Sequence, residues 1–408
     1  MPLGGNNLQT REGQLSLVKE TSDLKKNNIR KCLELIWNAR SVTKQQLAAI
    51  SSFTSVTAHK FINELEEMGL VIETGVSNSQ LGKKASIYEI NPKYGGFIGI
   101  NIYNLVITAS LFDFQMNAIY TRTATFPGVY SDKAFELICA MISKCIMLGD
   151  CPILGIGVTF SGQVDFQNGI VTNCIDMTGW NKIPLRSMLE LKFKIPTVVE
   201  NDVNACALAL KWLKSPLNCF AIIHIFRGVG ISLINNNEVY RGQNSNAGEL
   251  GHTTVSLAGK LCRCGNRGCI EEFVSDSSIL EESRLGAIDE VIAEAGKNNR
   301  AIHEILQNKC DYIAILVDHV IKAYDPNAIY LSSSWLGSLP SFFEKLTGSI
   351  FSKSQWLSRD SLSITLLNER EDRLLAVKGP AFTAFDCFIG NGIYNKNAKA
   401  AAGLISEG

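Results

Sequence analysis

Three cysteines and a histidine share one short, glycine-rich stretch of the chain: His252, then Cys262, Cys264 and Cys269. Three thiolates and one imidazole form one of the closed tetrahedral sets that Zn²⁺ prefers. The order Cys262-Arg263-Cys264-Gly265-Asn266-Arg267-Gly268-Cys269 makes a tight knuckle. Gly265 and Gly268 can take positive φ there and let the thiols converge. Scattered cysteines are usually buried apolar thiols. This cluster has the spacing that ligation demands and is expected to hold Zn²⁺ through His252, Cys262, Cys264 and Cys269.

A second polar group ends the apolar run 196–199, where Glu200, Asn201 and Asp202 lead into an apolar helix. Ligands bind α/β sheets beyond the carboxyl ends of their strands. A carboxylate at such a position can hold a hydroxyl or accept its proton. The same residue types also cap helix N-termini, and both readings stand on these residues alone.

The elements that must position these groups follow from the rest of the chain. At 408 residues, with 46% hydrophobic and 19% charged residues, two or three globular domains are expected. Formal net charge is zero, so contact with nucleic acid must be local. The twelve cysteines are dilute, and Cys139, Cys145, Cys206 and Cys219 sit singly in apolar runs. That pattern fits reduced thiols and a cytoplasmic location. The first residues lack the pattern of a signal peptide, and no apolar run reaches membrane-spanning length. No internal repeat is evident.

Residues 1–22 read as a polar, mobile arm. From there Ile29, Cys32, Leu33, Leu35 and Ile36 recur at helical spacing. Thr43 with Gln46 makes a capping box for a helix over 44–50, with Leu47, Ala48 and Ile50 expected inward. After a short turn, Thr54 or Ser55 caps a third helix running to about Met68, expected to bury Val56, Phe61, Ile62 and Leu65. Two short helices around a tight turn form a helix-turn-helix, whose second helix enters the major groove. Ser55, Thr57, His59 and Lys60 lie on its non-core side and are expected to face DNA. Strands over 69–74 and 86–90 add a wing, and its loop carries Lys83 and Lys84, which suit phosphates or a narrow minor groove. A plain three-helix bundle is the alternative, and the wing argues against it. Because this segment is only modestly basic, affinity should require a dimer or larger assembly.

Beyond a junction at 91–96, the sequence reads as two strands over 97–113 and a helix over 131–148. A strand at 153–160 leads to a loop with Gly162. A hairpin follows over 221–235, then a long helix over 301–322, strands near 325–331 and 362–367, and a last helix over about 380–388.

The pair Gly248-Glu249-Leu250-Gly251-His252 and Cys-x-Cys-Gly-x-x-Gly-Cys-x-Glu (Cys262 to Glu271) resembles the signature of the ROK family of sugar kinases and sugar-responsive repressors. The resemblance covers about 27–400. It implies an α/β fold: an N-terminal winged helix-turn-helix followed by a two-lobed actin-like (ribonuclease H-like, sugar kinase type) ATPase-fold domain. The implied divisions are a DNA-binding domain at 23–92 and a first lobe at 93–204, joined by a C-terminal helix at about 380–400. A second lobe with the zinc knuckle takes 205–379. It further implies that Gly162, Asn201, Asp202, Glu249, His252 and Glu271 bind a sugar, with Asp202 matching the kinases' general base. The kinases, however, carry an acidic residue, two glycines and a threonine in their first phosphate loop. Here Asn101, Tyr103, Asn104 and Leu105 stand there, and bulky side chains occupy positions where phosphate needs bare backbone. Ser332, Ser333 and Ser334 likewise replace a Gly-Gly pair near the adenine.

These features point to a non-enzymatic transcriptional repressor of carbohydrate genes, in the branch that answers to sugars such as N-acetylglucosamine and xylose. Its expected partners are operator DNA and a sugar or sugar phosphate, and its expected assembly is a homodimer or homotetramer. A sugar kinase carrying a DNA-binding domain is one alternative, and a repressor released by a transport-system protein is another.

Overall fold

A computed structural model of the chain describes residues 25, 27–77, 84–126, 129–174, 177–214, 217–353 and 360–392. The expected arm at 1–22, Lys83 and the chain beyond 392 lie outside the described residues.

The N-terminal module follows its apolar spacing closely. Helix α1 (27–39) buries Ile29, Cys32, Leu33, Ile36 and Trp37. Strand β1 (Ser41–Thr43) leads into α2 (Lys44–Ser51) through the full capping box of Thr43 and Gln46. Ser52 turns left-handed, and Thr54 caps α3 (Ser55–Glu67) by accepting from the Thr57 N–H. Strands β2 (Val71–Val76) and β3 (Ser86–Ile90) complete a three-stranded sheet of order β1-β3-β2. Two side chains expected inward point out: Val56 is 81% exposed and Ile50 49% exposed. Ala58 takes the core place assigned to Val56, because the buried stripe of α3 is Ala58, Phe61, Ile62 and Leu65.

The larger part of the chain builds two sheets. In the first, β4 (Gly96–Tyr103), β5 (Val106–Asp113) and β6 (Ala118–Thr125) run antiparallel. Helix α4 (Asp132–Leu148) leads back to β7 (Ile153–Phe160), which joins β4 in parallel. A hairpin of β8 (Gln163–Asp165) and β9 (Ile170–Asn173) follows, then α5 (Leu185–Phe193) and β10 (Thr197–Asn201) beside β7. Helix α6 (Asp202–Lys214) carries the chain to the second sheet.

That sheet repeats the plan with β11 (Cys219–Ile225), β12 (Val229–Asn235) and the short β13 (Glu238–Val239). After the cysteine knuckle come α7 (Glu271–Val274), α8 (Asp276–Ser283), α9 (Ile288–Gly296) and α10 (Arg300–Tyr324). Strand β14 (Ala328–Ser333), α11 (Pro340–Lys353) and β15 (Ser363–Leu366) finish it. The orders are β10-β7-β4-β5-β6 and β13-β12-β11-β14-β15. Numbered within each sheet, both read 3-2-1-4-5. The two sheets therefore share one strand order, with no repeat in the sequence to announce it.

The closing helix α12 (Glu369–Cys387) is longer than expected and carries Pro380 inside it. Proline usually opens or breaks a helix, which is why the sequence suggests a start there. Packing holds it instead: a Cβ at Gly157 would lie 1.7 Å from the Pro380 carbonyl oxygen, so α12 crosses β7 at bare-backbone distance. Helices α6 and α12 lie together between the sheets, and their buried residues share one apolar cluster with α1. The expected lobe boundary after Asn204 falls inside α6.

Candidate functional site

A cavity of about 580 Å³ opens between the two sheets, lined by residues of both. On the first-sheet side, β10 ends and α6 begins without a connecting loop, so Asn201 and Asp202 face the opening. Asn201 takes the capping role and also lines the cavity. Its Oδ1 accepts from the Val203 N–H at 2.9 Å and the Asn204 N–H at 3.2 Å, capping α6. Its amide donates to the Gly162 carbonyl at 3.1 Å, which ties the loop after β7 to the cavity edge. Burial pushes the Asp202 carboxyl up to about 6, and the Glu249 charge adds to the rise. Hydrogen bonds from the Val203 N–H and the Ser161 hydroxyl oppose that rise. A carboxyl titrating there can hold a hydroxyl as an acceptor near neutral pH.

Glu200 proves to be structural. It is buried, takes the Asn204 amide at 3.0 Å and accepts from Arg241 at 2.7 Å. The Arg241 guanidinium in turn lies 3.7 Å from the Phe166 ring centroid. This group crosses from β10 to the segment after β13 and pins the two halves together on one flank.

The opposite wall is the cysteine knuckle. Gly265 and Gly268 do take positive φ, 95° and 66°, and a Cβ at Gly268 would meet the Ser256 carbonyl oxygen at 1.7 Å. The donor atoms of His252, Cys262, Cys264 and Cys269 all lie within 4.8 Å of one another. Cys264 Sγ is 3.6 Å from Cys269 Sγ, and Cys262 Sγ is 3.5 Å from His252 Nδ1. Zn–S bonds of about 2.3 Å give tetrahedral edges of roughly 3.8 Å, so this donor set can accept the ion with little movement. His252 faces both ways: Nδ1 looks to the thiols, and Nε2 lies 3.9 Å from a Glu249 oxygen.

Glu249, His252 and Glu271 all line the cavity. Glu249 is held above its ordinary range by burial, with Glu271 reinforcing and His252 opposing the shift. Glu271 is buried and already engaged, accepting from the Val229 N–H at 2.8 Å and from Arg263 Nε at 3.1 Å. Each carboxylate oxygen keeps a second lone pair for a ligand hydroxyl.

Where a kinase needs open backbone, this chain has side chains. Asn104 and Leu105 make the β4–β5 turn at φ 46° and 67°, a left-handed pair achieved without glycine. Arg227, at the β11–β12 turn, donates to Asn104 Oδ1 at 2.7 Å across the opening. Asn101 accepts from the Thr159 hydroxyl at 3.0 Å and is spent inside the sheet. Burial raises the Tyr103 hydroxyl to about 12, and the charges of Asp202 and Asp276 add to it. Ser332 donates to Asp372 at 2.8 Å and Ser334 to Asp276 at 2.5 Å. His224 sits 3.4 Å from Asp372 without an aligned hydrogen bond.

Sequence reasoning missed Arg263 in the cavity. Arg263 carried a signal: between two cysteines that face one way, the intervening side chain faces the other. On α3, Ser55, His59 and Lys60 are exposed as expected. Thr57 is half-buried, with its hydroxyl 2.8 Å from that of Thr54, so it serves the cap. Lys84 is exposed.

Comparison with known proteins agrees with this architecture. Residues 97–352 match the ROK family. A xylose repressor from Bacillus spizizenii is 27% identical over 346 residues, covering 82% of this chain and 89% of that protein. A crystal structure described as a ROK family transcriptional regulator, homologue of the E. coli MLC protein, superposes with a TM-score of 0.75 at 19% identity. It covers 91% of this chain and 100% of its own. A ROK hexokinase from Thermus thermophilus superposes with a TM-score of 0.63 at 21% identity, over 71% of this chain and 99% of its own. At these identities the two structures speak to the fold alone. Among the described residues no helix is long and apolar enough to cross a membrane.

Proposed function

This chain belongs to the ROK family, and from that premise we propose that it is a sugar-responsive transcriptional repressor that binds operator DNA through its N-terminal module. One observation carries the proposal. Helix α6 starts at Asp202 in the cavity and ends against the N-terminal module. Ten residues on, at roughly 1.5 Å each, Trp212 stands about 15 Å away. Its carbonyl accepts the Trp37 indole N–H of α1 at 3.0 Å, and the two rings lie 5.8 Å apart, edge to face. Beside it Lys211 pairs with Asp386 at 2.8 Å, and Arg30 of α1 lies 3.9 Å from the same carboxylate. A ligand that shifts the start of α6 therefore acts on the packing of the DNA-binding module through one rigid element. Such coupling requires the sugar to prefer one of the two arrangements.

In this proposal a sugar or sugar derivative is held by Asp202 and Glu249, with Asn201, Gly162, His252 and Glu271 shaping the site. Zn²⁺ is bound by His252, Cys262, Cys264 and Cys269. The ion supplies a fixed scaffold, so that the second nitrogen of His252 and the adjoining glutamates keep their positions. The protein acts in the cytoplasm as a homodimer whose two recognition helices read a palindrome. It is not an enzyme: Tyr103 and the Asn104–Arg227 bridge stand where the kinases have the open backbone of a phosphate loop. The similarity to a xylose repressor supports a carbohydrate ligand.

Calorimetric titration against pentoses, hexoses, amino sugars and their phosphates, each with and without Mg·ATP, tests this. Binding heat from a sugar with no ADP formed supports the repressor. Sugar-dependent ADP formation would establish the kinase alternative, and silence across the panel would favour release by a protein partner.

A further inference from the structure

The face of α3 that meets solvent is centred on an apolar side chain. At about 100° per residue, the buried stripe of Ala58, Phe61, Ile62 and Leu65 has Val56, Lys60 and Asn63 directly opposite. Val56 is 81% exposed, in the first turn of the helix. Its neighbours on that face are polar or cationic: His59 and Lys60 are exposed, and Asn63 accepts from Lys44 Nζ of α2 at 2.5 Å. A β-branched residue is also a poor helix former, so propensity gives no reason for it at this place.

We propose that Val56 reads operator sequence by packing against the 5-methyl group of a thymine in the major groove. This rests on the DNA-binding function proposed above. The first residues of a recognition helix approach base edges most closely. The thymine methyl is the one apolar feature that the major groove displays. A short, stiff, branched side chain suits it, because Val56 has no charge to desolvate and little rotamer freedom to lose. Lys60, one turn on, meets the phosphates or base edges beside it and supplies the cationic part of the same face.

The test uses the full-length protein and a duplex that it selects from a randomised pool. Each thymine of that duplex is then replaced by uracil, which removes only the methyl group. One thymine per half-site is expected to matter, with affinity falling about fourfold on replacement, the worth of one buried methyl. The Val56→Ala protein, altered in both protomers, should lose about the square of that factor, roughly 16-fold, on the thymine duplex and show no further loss when either thymine is replaced by uracil. Because Val56 lies outside the core, the variant should melt with the wild type. Selection of a duplex that binds tightly but is indifferent to every uracil replacement would overturn the proposal and leave DNA binding intact. Equal uracil penalties in wild type and Val56→Ala would overturn it too. Failure to enrich any duplex would overturn both it and the DNA-binding function.

Discussion

Replacing Trp37 by phenylalanine should uncouple the two ends of α6. The indole N–H of Trp37 donates to the Trp212 carbonyl at 3.0 Å in a buried setting, and Trp212 lies in the last turn of α6. Carbonyls there have no partner within their own helix. Phenylalanine keeps most of the apolar volume against Phe385, whose ring centroid is 4.9 Å away, but leaves that carbonyl unsatisfied. The cost of such a group is about 1–3 kcal/mol. If the contact is made in only one of the two arrangements, their equilibrium moves by the same amount, about five- to 150-fold. Operator affinity measured by fluorescence anisotropy with and without saturating sugar gives the response ratio. Calorimetry gives the affinity for sugar, and urea unfolding gives the stability. The Trp37→Phe protein should bind sugar as the wild type does while its response ratio shrinks within that range. A protein destabilised by the expected amount, with its response ratio untouched, would refute the reasoning and reduce the contact to simple adhesion.

Cys264→Ser should lose bound zinc and the sugar response together, as read by metal analysis of the purified protein; unchanged metal content would remove Cys264 from the ligand set. Asp202→Asn should abolish the sugar response and keep operator affinity, so retained response in an operator assay would move the pocket elsewhere. Because burial raises Asp202 to about 6, the folded protein holds this proton longer than the unfolded chain does. Its contribution to stability therefore falls as pH rises from the ordinary carboxylate range through about 6. Sugar affinity should run the opposite way, weakening as pH drops through about 6, and Asp202→Asn should flatten both profiles. Lys60→Ala should lower operator affinity and reduce its salt dependence while leaving sugar affinity alone; an unchanged salt slope would take Lys60 off the phosphates.

What the sequence disclosed was local. The cysteine knuckle is legible because ligand spacing and glycine placement are encoded within a few residues of each other. The capping box at Thr43 and Gln46 and the buried stripe of α3 beyond its first turn are legible for the same reason. Val56 and Ile50 misled, because apolar character alone does not fix which face of a helix a residue takes. Pro380 misled because its cost to the helix is outweighed by close packing of α12, Pro380 on Gly157 and Gly379 on Ala205, partners far away in the sequence. The strand order common to the two sheets has no sequence repeat behind it, since strand order constrains hydrogen bonding and not side-chain identity. The bridges Asn104–Arg227, Glu200–Arg241 and Trp37–Trp212 join residues 123, 41 and 175 positions apart, and no local pattern announces them.

The sharpest single test measures two things in one mixture of full-length protein, labelled operator and Mg·ATP, while the sugar found by calorimetry is added. Operator release should rise with sugar concentration, and no ADP should form. Steady operator binding with sugar-dependent release of ADP would contradict the central claim that this pocket senses a sugar without phosphorylating it.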